Sequence, residues 1–258
     1  MTTKIEFEGI DNFRDFGGYG AAAGGKVTAG RLFRSANHAY ATEKDLADLR
    51  DLGVEVIIDL RRRRERDREP SRRWEGFAGK VIENDIDGPE HDWADALKAA
   101  GTINADWFFR DSLEFYRVAP HAERMIDLFG RYFHALAETE GAIVVHCAAG
   151  KDRTGMLCAL THHIAGVHRD DTMADYLATN DEARMEKRVA FLGPWIKELT
   201  GVTLDDAALR QAVSVNEAFL AEAFKAMTER HGSVDGYLEQ ALGVDAALRE
   251  RIAGRILG

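Results

Sequence analysis

An α/β fold, with a mostly parallel central sheet flanked by helices, is what three features of this 258-residue chain predict. Val54-Glu55-Val56-Ile57-Ile58-Asp59-Leu60 is apolar on nearly both faces, as a central strand covered on two sides requires. The second run, Ala142-Ile143-Val144-Val145, ends in small residues and Gly150, and the apolar-periodic stretch Met156, Leu157, Ala159, Leu160, Ile164 follows it. That order reads as strand, tight loop, helix. From there to the C-terminus the pattern is almost wholly helical, so a single domain over 1–258 with a long helical extension is expected.

In chain order, the glycine cluster Gly17-Gly18-Tyr19-Gly20 and Gly24-Gly25 reads as a surface hairpin. It lacks Gly-x-Gly-x-x-Gly spacing and leads into Lys26-Val27-Thr28 instead of a helix, which argues against a dinucleotide loop. Arg31-Leu32-Phe33-Arg34-Ser35 predicts a strand, and Thr42-Glu43-Lys44-Asp45 a helix start leading to Leu46, Leu49 and Leu52. After the central strand, the run Arg61 to Arg68 could attract phosphoinositide head groups or acidic peptides, but the interleaved Glu65 and Asp67 favour a solvated helix face with local ion pairs. Lys80 to Ile86 predicts another strand, closed by Asp87-Gly88-Pro89. Helices are expected around Asp92 to Ala100 and Asp106 to Val118, with Trp93, Trp107, Phe108, Phe109, Phe115 and Tyr116 mostly in the core. Pro120 is read as opening a long amphipathic helix through Met125, Phe129, Phe133 and Leu136.

Composition narrows the classes of function. With 34 Lys+Arg against 44 Asp+Glu, the net charge of −10 disfavours general attraction to nucleic acid or anionic membrane, so any anion site must be local. The first eight residues lack an apolar signal core and no run approaches the roughly 18 apolar residues of a membrane span, so a cytoplasmic protein without an integral membrane segment is expected. The two cysteines, Cys147 and Cys158, would lie roughly 15 Å apart along a continuous helix, beyond disulfide reach, and should be free thiols. No oligomeric state is implied.

The chemistry concentrates in His146-Cys147-Ala148-Ala149-Gly150-Lys151-Asp152-Arg153-Thr154-Gly155. Unpaired backbone N–H groups, the positive end of a helix and the Arg153 fork would converge above the Cys147 sulfur. A tetrahedral phosphate dianion fits that convergence, and a thiolate is a ready nucleophile towards it. His146, Ala148, Ala149, Gly150, Lys151 and Thr154 are the candidate cradle. Asp59 and Arg61 lie at the carboxyl end of the central strand, where ligands bind in open α/β sheets, and are expected to face the same cleft, a carboxylate merely capping the following turn being the alternative for Asp59. The pair His162-His163 has no metal-ligand spacing, and the Gly150-Lys151 step lacks the rest of a nucleotide-binding motif.

This decapeptide, with every fixed position of the His-Cys, five residues, Arg, Ser/Thr pattern, resembles the signature of the cysteine-dependent protein tyrosine phosphatase superfamily. Its Gly-Lys-Asp-Arg-Thr-Gly version is similar to a bacterial and fungal branch of atypical phosphatases acting on phosphotyrosine, phosphoserine/threonine and phosphoinositides. Asn12-Phe13-Arg14-Asp15-Phe16-Gly17-Gly18-Tyr19, Gly30 to Ser35, Ile57 to Arg61 and Gly232 to Leu238 extend the resemblance through most of the chain. It implies a protein-tyrosine-phosphatase-like fold, a helical lid for which 180–213 is the candidate, and a phosphorylated protein or phosphoinositide as substrate. The reaction it implies passes through a cysteinyl-phosphate and requires no metal or cofactor.

Cys147 would be the nucleophile and Arg153 the transition-state clamp. The Trp-Pro-Asp loop that usually supplies the general acid in the superfamily is missing from this sequence. Asp152 resembles the aspartate assigned that task in the branch, with Asp59, Asp85 and Asp87 as alternatives and an N-terminal helix cap as the purely structural reading of Asp152. Thr154 is expected to donate to the Cys147 sulfur as the thiolate departs in the second step, and Lys151 to add charge at the rim in the manner of phosphoinositide phosphatases. A phosphoinositide-selective phosphatase, a non-catalytic phospho-ligand binding module, and arsenate reduction or sulfur transfer are the competing readings.

Overall fold

The structure, a computed structural model, describes residues 6–22, 24–88 and 93–258. The chain begins with the short strand β1 (Arg14–Asp15), then β2 (Leu32–Ser35), helix α1 (Glu43–Asp51) and β3 (Val54–Asp59). Next come α2 (Arg63–Arg68), β4 (Lys80–Ile82), α3 (Trp93–Ala99), α4 (Ala105–Val118), α5 (Glu123–Glu138) and β5 (Ala142–His146). Seven helices complete it: α6 (Asp152–Ala165), α7 (Arg169–Leu177), α8 (Glu182–Thr200), α9 (Asp206–Val213), α10 (Glu217–His231), α11 (Val234–Gln240) and α12 (Ala246–Ile256).

The strands order as β1-β2-β5-β3-β4, parallel throughout except for antiparallel β1 at one edge. This is the mostly parallel, helix-flanked α/β sheet that the apolar runs predict. Strand alternation divides the core between two faces. Leu32, Val56, Ile58, Ile143 and Val145 join the larger cluster beneath α5, α6, α10 and α12. Phe33, Val54, Ile57, Ala142 and Val144 pack on the opposite face with Leu46 and Leu49 of α1. Val54 and Val56 should share a face by parity, yet they fall in different clusters because the β3·β5 register shifts between them.

Helix α1 starts where its sequence signal places it, with Thr42 and Asp45 forming a reciprocal capping box. Pro120 corrects the expectation made of it: it sits in a 3₁₀ turn over Ala119–His121, and α5 begins three residues later. The expected helix from Asp92 is described only from Trp93, and Pro89 of the expected turn also lies outside the described residues. The Gly17–Gly25 segment does turn back on itself, with Val27 N donating to Tyr19 O at 2.8 Å and Gly18 N to Val27 O at 2.6 Å.

A third apolar cluster stands apart from the sheet. Leu97 of α3 and Phe108 of α4 meet Met185, Leu192 and Ile196 of α8 and Ala208 and Val213 of α9. Trp93 stacks on Trp195 with ring centres 5.9 Å apart and planes 7° from parallel. The candidate lid at 180–213 is thus one side of a helical layer that also contains α3 and part of α4. Among the described residues no helix is long and apolar enough to cross a membrane.

Candidate active site

β5 lies between β2 and β3, so its carboxyl end opens at the middle of the sheet and delivers Cys147 there. Cys147 is only 2% exposed and forms the floor of the loop that leads into α6. Gly150 makes the loop possible. Its φ is +64°, and a β-carbon there would stand 2.4 Å from the Ser35 carbonyl group.

The loop's carbonyls are pinned outward by four side chains that lie far from it in sequence. Asn37 Nδ2 donates to Ala148 O at 3.2 Å, and Arg184 Nη2 of α8 donates to Ala149 O at 3.1 Å. Asn12 Nδ2 and Arg34 Nη2 donate to Gly150 O at 2.8 and 3.1 Å. In a trans peptide the N–H points opposite to the C=O, so each pinned carbonyl turns the next amide towards the loop centre. The amides of Ala149, Gly150 and Lys151 are thereby aimed where an anion would sit. Asn12 occupies a positive φ of 57°, which its short polar side chain tolerates, and its Oδ1 accepts from Arg14 at 2.6 Å.

Behind the cradle, Asp175 of α7 receives Arg34 at 2.5 Å and Arg14 at 3.0 Å. Burial alone would raise the Asp175 carboxyl; the two arginines overcome this and hold it at about 2. Arg34 is fully buried, so this pair fixes the guanidinium that supports Gly150.

Arg153 is oriented by a carboxylate from α2. Its Nη1 and Nη2 donate to the two Glu65 carboxylate oxygens at 2.6 and 2.8 Å, and Nη1 also reaches Leu60 O at 3.1 Å. Burial works against a charged Glu65, but Arg153 outweighs it and brings the carboxyl down to about 2. Glu65 therefore belongs to the site, although its place in an arginine-rich run reads as surface ion pairing. The rest of α2 does fit that reading, with Arg66 paired to Asp85 and to Glu83.

Asp152 opens α6 with its side chain about one quarter exposed. Its Oδ1 accepts from Tyr116 Oη at 3.0 Å, and Tyr116 Oη lies 2.7 Å from Tyr176 Oη. Tyr176 presses against Gly155, where a β-carbon would come within 2.8 Å of its ring. The last glycine of the decapeptide thus makes room for a tyrosine on α7.

Three expectations are corrected by this geometry. Asp59 and Arg61 do not face the cleft: both are 1% exposed and form a bidentate pair, with Arg61 N, Nε and Nη2 all donating to the Asp59 carboxylate. Against the cost of burial, His146 and Arg61 hold that carboxyl far below its usual range. His146 lies behind the loop, stacked on His38 at 4.5 Å, and burial pulls its imidazole down to about 4. Lys151 is not at the rim, since Nζ donates to Ala212 O at 2.8 Å and Ser214 O at 3.1 Å at the end of α9. Thr154 Oγ1, whose expected donation belongs to the departure of the thiolate in the second step, is buried without a hydrogen-bond partner among the described residues.

Cys158 is buried on α6, and burial pushes its thiol up to about 12, which suits an inert packing residue. Tyr40, which the sequence does not single out, sits beside the loop: its hydroxyl donates to Glu69 at 3.3 Å, and Asn37 bridges Glu69 to the loop. The residue as a whole is 61% exposed.

Known proteins resemble the chain over most of its length. A family model described as "Tyrosine phosphatase family" matches residues 5–258. A Cupriavidus necator protein classed as a tyrosine-protein phosphatase is 32% identical over 250 residues, covering 94% of this chain and 85% of its own. The triple specificity protein phosphatase PtpB of Mycobacterium tuberculosis is 30% identical over 283 residues, covering 98% and 99% respectively. A crystal structure of a human tyrosine phosphatase-like serine/threonine/tyrosine-interacting protein overlaps 70% of this chain and 87% of its own at 12% identity, with a TM-score of 0.34, too slight a likeness to bear on function. On the match of its whole length and of these two relatives, the chain belongs to the tyrosine phosphatase family and is a phosphatase.

Proposed function

We propose that the enzyme hydrolyses phosphotyrosine, and also phosphoserine/threonine and phosphoinositide monoesters, through a cysteinyl-phosphate intermediate. The observation that carries this reading is the loop itself: a cysteine on the floor, three outward-pinned carbonyls above it, and Arg153 held at its end by Glu65. The phosphoryl oxygens would take the inward amides and the Arg153 donors, leaving phosphorus in line with Cys147 Sγ. Sγ forms the bond to phosphorus as the ester oxygen departs, and Asp152 protonates that oxygen. Water then attacks the cysteinyl-phosphate, giving its proton to Asp152 as phosphorus releases the sulfur.

Asp152 is favoured over the other aspartates by what each one is bound to. Asp59 is kept ionised beside Arg61, Asp85 is paired with Arg66, and Asp87 is exposed on the segment after β4. The helical layer containing 180–213 acts as the lid, a role supported by Arg184 and Lys151, which join it directly to the loop. The exposed Tyr40 ring offers an aromatic surface to a phosphotyrosine side chain. The wider substrate range rests on the triple specificity named for PtpB, since the Lys151 ammonium is taken up by the end of α9. A cytoplasmic site of action completes the proposal.

The test is turnover of a phosphotyrosine peptide, a phosphoserine peptide and phosphoinositide vesicles by the purified protein with EDTA and reductant present. Metal-independent phosphate release that Cys147→Ser abolishes, with phosphopeptide retained on the variant, is the expected result. A folded wild-type protein that releases phosphate from none of the three overturns it.

A further inference from the structure

A carboxylic acid that passes a proton in one direction and takes it back in the next step works best if a single oxygen does both. The two oxygens of Asp152 are not equivalent here. Oδ1 accepts from Tyr116 Oη, whereas the nearest cation to Oδ2 is Lys151 Nζ at 3.7 Å, which is already donating to two backbone carbonyls. Tyr116 has one proton to give. If it gives that proton to Asp152, its bond with Tyr176 must run the other way, so the chain of donors is Tyr176 to Tyr116 to Asp152. Burial, reinforced by the Asp152 charge, raises both phenols well above their usual range, and each remains a donor at working pH.

Both rings are fixed by packing. Tyr116 projects from α4 and stacks against Phe219 of α10 at 5.7 Å, while Tyr176 lies edge-on to it and rests on Gly155. Neither hydroxyl is needed to fill space, since phenylalanine would pack the same volume in a site this well enclosed.

We propose that Tyr116, backed by Tyr176, is a positioning residue for the general acid: it saturates Oδ1 of Asp152 and so presents Oδ2 as the oxygen that transfers the proton. The proposal rests on Asp152 being that acid. A purely structural phenol would predict a different kinetic signature, because losing it would slow every substrate alike.

The experiment compares wild type, Tyr116→Phe, Tyr176→Phe, Asp152→Asn and the Tyr116→Phe/Asp152→Asn double variant on aryl phosphates whose phenols range from strongly to weakly acidic. For Tyr116→Phe, kcat/KM is expected to fall about tenfold or more with phenyl phosphate and by less than about twofold with dinitrophenyl phosphate. Inhibition by inorganic phosphate should hold within about twofold, because the anion cradle is untouched. Tyr176→Phe should show the same dependence on leaving group with a smaller loss, and it carries the test if Tyr116→Phe does not fold. Adding Tyr116→Phe to Asp152→Asn should cost nothing further. A loss that is uniform across the series, or no loss, in both single tyrosine variants overturns the proposal while Asp152→Asn remains dependent on leaving group. If Asp152→Asn itself is slowed uniformly, the assignment of the acid fails, and this proposal with it.

Discussion

Glu65 and Arg153 share two hydrogen bonds, and the carboxylate leaves the guanidinium one orientation relative to Cys147. Glu65→Gln keeps the shape and removes the charge, so kcat/KM towards an aryl phosphate should drop by about 10²-fold, the scale of a misplaced catalytic group. Unchanged kcat/KM would mean that the pair merely ties α2 down. His146 makes a second residue-scale prediction, this time about stability. Its imidazole titrates near 6.5 when unfolded and near 4 when folded, burial being the main cause, so the unfolded chain binds more protons between those values. Stability from this group is complete above about pH 6.5 and is lost as pH falls towards 4; buried His38 is shifted in the same direction. Melting temperature should therefore decline between pH 6.5 and about 5.5, above the range in which Asp59, Glu65 and Asp175 begin to contribute, and His146→Gln should flatten that decline. An equal slope in the variant would assign the loss elsewhere.

At the scale of elements, the β5–α6 turn is legible as strand, loop and helix, because the flanking periodicity shows what the decapeptide joins, whereas the contacts that His146 and Lys151 make inside the fold are not. Gly150 demonstrates how tightly that turn is fitted. Gly150→Ala would require both an unfavourable φ and displacement of the Ser35 backbone. The expected result is loss of at least about 10²-fold in activity with the sheet still folded by circular dichroism, since loop geometry suffers before the core does. Near-normal turnover would show that the loop can shift without disturbing its amides. The expectation for Asp59 and Arg61 fails for a local reason. Ligand sites do lie beyond the carboxyl ends of parallel strands, but Arg61 is close enough to fold back on Asp59, and a two-residue turn consumed both charges. Pro120 was displaced similarly, since a first-turn proline suits a 3₁₀ turn as well as an α-helix.

Across the whole molecule, the sheet and its flanking helices form two continuous clusters, whereas α3, α8 and α9 hold together through a third that includes part of α4. The separate cluster predicts that this layer opens independently. In native-state hydrogen exchange, amides of α8 and α9 should exchange faster than those of β5 and α6, and Trp195→Ala should widen the gap by removing the stack with Trp93. Equal protection would make the layer part of one cooperative unit. The helices themselves were readable from periodicity, but their partners were not, because no local pattern tells Lys151 that its ammonium will meet the end of α9. The same limit hid the supports of the loop: Asn12, Arg34, Asn37 and Arg184 stand far from it in sequence and meet it only in the fold. For protein engineering, the decapeptide is accordingly not a portable part. Grafted between a strand and a helix of another α/β scaffold, it would carry its sulfur and its arginine but not the braces that turn its peptides. A host would have to supply four matching donors at the outer edge of the turn before the transplant could grip an oxyanion.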